Sequence, residues 1–62
     1  MEMNVRVKVL GAEYDVAIER LPGTMKYRVS GNVMDKLVQI ERVGYNAALA
    51  SWKWAAAKKL KA

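Results

Sequence analysis

Apolar and polar residues alternate in three runs along the first half of the chain. Val5, Val7 and Val9 form the first apolar set, Tyr14, Val16 and Ile18 the second, and Met25, Tyr27 and Val29 the third. A period of two marks strands with one buried face. Placing Gly11-Ala12 at the centre of a hairpin puts glycine where a positive φ is needed. Val9 then faces Tyr14, Val7 faces Val16 and Val5 faces Ile18, while Lys8 pairs with Asp15, Arg6 with Ala17 and Asn4 with Glu19. Centring a second turn on Pro22-Gly23, which suit its two middle positions, pairs Ile18 with Tyr27 and Val16 with Val29. On the other face it pairs Glu19 with Lys26, Ala17 with Arg28 and Asp15 with Ser30. Both turns send the same middle-strand residues inward, so residues 4–30 read as a three-stranded antiparallel sheet whose third strand has a free edge.

After Ser30 the period changes. Gly31-Asn32 breaks the strand, Asn32 suits an N-cap and Asp35 a first helical turn. Val33, Met34, Leu37, Val38, Ile40 and Val43 form a stripe at helical spacing, and Gly44 supplies a terminator. This spacing predicts a helix over 32–43, lying on the valine face of the sheet. A second, alanine-rich helix is predicted over 46–61, where Lys58, Lys59 and Lys61 suit the negative end of the helix dipole. Leu49, Trp52, Ala56 and Leu60 share one seam. Trp54 lies roughly 200° from Trp52 at 100° per residue, so the two indoles cannot face one core. The expected fold is α+β, a single domain over 1–62: a three-stranded antiparallel meander followed by two helices (βββαα).

With 62 residues such a domain is near the lower limit for folding alone, and oligomerisation is the most available extra source of stability. The chain has no cysteine and no histidine, which removes disulfides, thiolate metal sites and the commonest general base. Ser30 and Ser51 have no evident base nearby, the six acids are scattered, and the four glycines stand at element boundaries rather than in a phosphate loop. Neither an enzyme nor a cofactor or metal is expected. No apolar run approaches the roughly 20 residues of a membrane span. The first residues do not read as a signal peptide. The expected location is cytoplasmic, without a membrane partner.

A net charge of +5 is the footprint of a nucleic-acid or anionic-surface partner. Arg6, Lys8, Lys26 and Arg28 flank Asp15 and Glu19 on the outer sheet face. The expected register leaves Arg6 and Arg28 on either side of the small Ala17 with no acid between them, a candidate anion fork. A second surface carries Ala47, Ala50, Trp54, Ala57, Lys58 and Lys61 on one helix face. Trp54, with Ala50 and Ala57 beside it, suits an interface with a second copy.

Lys26, Arg28 and Ser30 alternate on a strand, a helical stripe containing Val33, Asp35, Leu37 and Ile40 comes next, and Gly44 and a second helix follow. In this order residues 26–61 resemble the ribbon-helix-helix DNA-binding proteins. The resemblance implies that strands of two subunits pair into a ribbon and that Lys26, Arg28 and Ser30 read bases in the major groove. It also implies that backbone amides near Asn46 hold a phosphate. Residues Val38 to Lys53, with Gly44-Tyr45-Asn46 at the turn and Ser51 beyond it, are also similar to a helix-turn-helix. The expectation is a small basic DNA-binding protein, a homodimeric transcriptional regulator or architectural factor that prefers DNA to RNA. Its candidate contacts are Arg6, Lys8, Lys26, Arg28, Ser30, Lys58, Lys59 and Lys61. The alternative is a protein-interaction module that uses the Trp54/Ala face and makes no nucleic-acid contact.

Overall fold

Strand β1 (Glu2–Val9) and strand β2 (Ala12–Arg20) meet at a two-residue hairpin. Its central residues are Leu10 and Gly11, both with positive φ, 50° and 83°. Two consecutive positive φ values define the type I′ turn, whose twist matches that of the strands it joins. The structure, a computed structural model, describes residues 2–61. Val9 therefore pairs with Ala12, Val7 with Tyr14 and Val5 with Val16. This register is two residues away from the one expected with Gly11-Ala12 at the centre. A shift of two leaves every side chain on its expected face, since the strand repeat is also two, but it changes every neighbour across the strands.

The Pro22-Gly23 turn is also wider than a two-residue loop. Leu21 N–H donates to the Lys26 carbonyl at 3.0 Å. Thr24 Oγ1 closes the loop, donating to the Leu21 carbonyl and accepting from Lys26 N–H. Strand β3 (Lys26–Val33) consequently pairs Ala17 with Ser30, Ile18 with Val29 and Glu19 with Arg28.

Residues 32–43, expected to form a helix, instead finish β3, turn, and run back as strand β4 (Lys36–Val43). The sheet order is β1-β2-β3-β4, antiparallel throughout, and a single helix α1 (Tyr45–Lys61) follows. The fold is thus ββββα in place of the expected βββαα. The helical stripe misleads because apolar residues of this segment lie on both faces of one strand. Val38 and Ile40 face the core, whereas Leu37 and Val43 lie on the outer face. Met34 and Asp35, with φ of 53° and 65°, make a second two-residue turn, and the β-branched Val33, Val38, Ile40 and Val43 favour extended backbone. Pairing with β3 also satisfies a row of backbone groups that an open edge would leave to solvent. Residues 26–61 accordingly run strand, strand, helix, and β3 is flanked on both sides rather than standing at an edge.

Gly44 does not end a helix; it joins β4 to α1. Its φ is 91°, its N–H donates to the Met25 carbonyl, and its own carbonyl accepts from Ala48 N–H, both at 3.0 Å. The chain reverses there and lays α1 across the inner face of β3 and β4, with reach to β1. Val7, Val9, Val16, Ile18, Val29, Val33 and Val38 from the sheet enclose Ala48, Trp52 and Ala56 from the helix. Trp52 is fully buried and Trp54 is 65% exposed. The Trp52 indole N–H donates to the Val38 carbonyl at 2.8 Å, and Tyr14 meets its ring edge-on. The ring lies over Gly31, the register partner of Val38. A Cβ at residue 31 would stand 2.7 Å from Trp52 Cζ2 and 2.9 Å from Val16 Cγ1.

Candidate functional site

Strand alternation places Arg6, Lys8, Lys26, Arg28 and Ser30 together on the outer face of the sheet, away from α1. Among the residues whose side chains are described, Glu13, Asp15, Glu19 and Glu41 share that face. Arg6 lies beside Asp15, with Nε 3.3 Å from Oδ1, and reaches Glu13 at 3.8 Å. Arg28 stands between Glu19 on β2 and Glu41 on β4, at 3.5 and 3.0 Å. Ser30 Oγ donates to the Gln39 side-chain oxygen at 3.4 Å. The expected row of Arg6, Ala17 and Arg28 does not form, because the two-residue shift sets Asn4 and Ser30 beside Ala17. Among the residues whose side chains are described, the outer face therefore sets four cations against four carboxylates. Each exposed pair contributes about 0–1 kcal/mol, but the equal numbers give these side chains no net positive charge with which to attract an anion.

The excess positive charge stands elsewhere, most densely on α1. This helix contains Lys53, Lys58, Lys59 and Lys61 and no acidic residue. Lys58, Lys59 and Lys61 fall in the last turn, where the dipole favours cations. With Trp52, Ala48 and Ala56 facing the sheet, the opposite side of α1 presents Ala47, Ala50, Trp54, Lys58 and Lys61, all exposed. Lys58 Nζ lies 4.6 Å from the centroid of the Trp54 ring, close enough for a cation–π contact. Ala57 is half-buried at the margin of this surface. The small side chains at 47 and 50 leave the indole standing above the helix backbone. An aromatic plate among ammonium groups can meet a base, a phosphate-bearing backbone or an acidic peptide.

The sequence-predicted contacts thus divide: Arg6, Lys8, Lys26, Arg28 and Ser30 lie on the sheet's outer face, Lys58 and Lys61 lie on the outward side of α1, and Lys59, seven residues after Trp52, is exposed near the helix end on the side that carries Trp52. Lys53 also lies on α1 and was legible from the helix composition. Leu37 and Val43, each 62% exposed on β4, were concealed by the helical reading of that segment. Among the described residues no helix is long and apolar enough to cross a membrane, and no group of three metal-ligating side chains comes together. Comparison of the chain with protein-family models, with curated proteins and with solved structures finds no match.

Proposed function

We propose that this is a small basic DNA-binding protein, architectural or regulatory in role, whose contact surface is the outward side of α1. The observation that carries the reading is the charge segregation: the outer sheet face is internally neutralised, while α1 bears four lysines and no acid. Lysines that neutralise phosphates release condensed counterions, so affinity falls steeply with salt. Helix α1 is also of a size that enters a major groove.

The test is a titration of duplex DNA into the protein at several salt concentrations. Trp54 serves as the exposed fluorophore and Trp52 as the shielded one. Binding should quench the exposed component, and Lys58→Gln should flatten the salt slope by about one unit. Absence of binding at low salt, or a slope unaffected by any α1 lysine, refutes the reading. The exposed Trp54 with Ala47 and Ala50 beside it favours a second reading, a protein partner anchored on the indole. That reading requires Trp54→Ala to abolish a complex measured without nucleic acid.

A further inference from the structure

Strand β4 is an edge: β3 lies on one side and, among the described residues, no strand lies on the other. Its outward backbone groups can be assigned. Gly44 N–H bonds the Met25 carbonyl, and these two residues extend the β3–β4 register one step beyond Lys26 and Val43. Bonded and unbonded pairs alternate in an antiparallel ladder. Val38, Ile40 and Arg42 therefore turn their N–H and C=O toward β3, and Leu37, Gln39, Glu41 and Val43 turn theirs to the open edge. The Arg42 guanidinium reaches the Glu41 carbonyl at 2.8 Å, as an outward carbonyl allows.

The side chains of those same four residues lie on the outer sheet face. Leu37 and Val43 stand three residues before and three after Ile40, and both are largely exposed. We propose that β4 pairs antiparallel with β4 of a second copy about a two-fold axis at Ile40. Leu37 then lies against Val43 of the second copy, and Gln39 against its Glu41. An isologous interface must complement itself, and this register does so: apolar meets apolar, amide meets carboxylate, and no like charges are opposed. Its paired residues are also those whose backbone groups face outward, so each pair exchanges two hydrogen bonds. Arg42 gives up the Glu41 carbonyl to the incoming strand. In the resulting eight-stranded sheet both helices lie on one face, so the two basic surfaces address one side.

The test uses the full chain without nucleic acid, so its outcome is independent of the DNA reading. Sedimentation equilibrium should give twice the 7.0 kDa chain mass. Leu37→Lys and Val43→Lys should each give the monomer with unchanged far-UV circular dichroism, since neither side chain is in the core. An oxidised mixture of Leu37→Cys and Val43→Cys chains should form the mixed disulfide, because bonded partners have Cα atoms about 5.5 Å apart. Either variant alone should not cross-link, since its own counterpart lies about 20 Å away along the strand. A wild-type monomer up to about 1 mM, a dimer that survives both lysines, or a dimer dissociated by Trp54→Ala overturns the proposal.

Discussion

Replacing Gly31 by alanine tests whether the Trp52 ring is what holds that position to glycine. Unlike Gly11, Gly23 and Gly44, Gly31 does not have a positive φ, so its backbone accepts any residue. On conformational entropy alone, alanine in a strand should stabilise by about 0.5–1 kcal/mol. Space opposes it. The new methyl would lie 2.7 Å from Trp52 Cζ2 and 2.9 Å from Val16 Cγ1, against an ordinary carbon–carbon contact of about 3.5–4.0 Å. The indole cannot swing away freely, because it is fully buried and its N–H is held by the Val38 carbonyl, a bond with a net contribution of about 1 kcal/mol. Overpacking of this kind costs about 1–3 kcal/mol, so the expected net loss is about 1–2 kcal/mol. Urea unfolding followed by far-UV circular dichroism measures it as a lower midpoint at unchanged m-value. In a Trp52→Phe background, where the six-membered ring of the indole no longer reaches Gly31, the loss should shrink to what the Val16 Cγ1 contact alone imposes. A Gly31→Ala protein as stable as wild type would refute the reasoning, whatever Trp52→Phe does.

The same geometry fixes other outcomes. Leu10 holds a φ of 50° while 61% exposed, and Leu10→Asn, which creates the Asn-Gly pair favoured in type I′ turns, should stabilise by about 0.5–1 kcal/mol. A thermal melt reads this as a higher Tm, and a lower one contradicts the turn assignment. Arg28→Met removes two exposed ion pairs and should destabilise by about 0.5–1 kcal/mol at low ionic strength. The effect should fade in about 1 M NaCl, and DNA affinity should stay unchanged. A large fall in affinity would return the sheet face to the binding surface.

Which side chains share a face was legible from Val5 to Val29, because alternation is a property of the backbone itself and survives a register shift of two. The final helix was equally plain from its alanines, its seam and its terminal lysines. The roughly 200° between Trp52 and Trp54 established that one indole must lie outside the core. What alternation does not encode is which residue lies opposite which. That was decided by the positive φ values at Leu10 and Gly11 and by the hydrogen bonds closing the Leu21–Lys26 loop. The two-residue difference moved Arg6 onto Asp15 and Arg28 onto Glu19, and with that the sheet's candidate anion fork disappeared.

Residues 36–43 mark the limit more sharply. Their local pattern is compatible with a helical stripe, and only pairing with β3, together with the tight turn at Met34 and Asp35, makes them a strand. Strand pairing joins residues distant in sequence, so no local window contains it. Sequence alone therefore determined the faces, the terminal helix and the total charge of this protein. Tertiary structure decided the fourth strand, the burial of Trp52 over Gly31, the neutrality of the outer face and the exposed pair Leu37 and Val43. Each of these depends on which segments become neighbours, and neighbours across a sheet are set by long-range hydrogen bonding rather than by the order of residues along one strand.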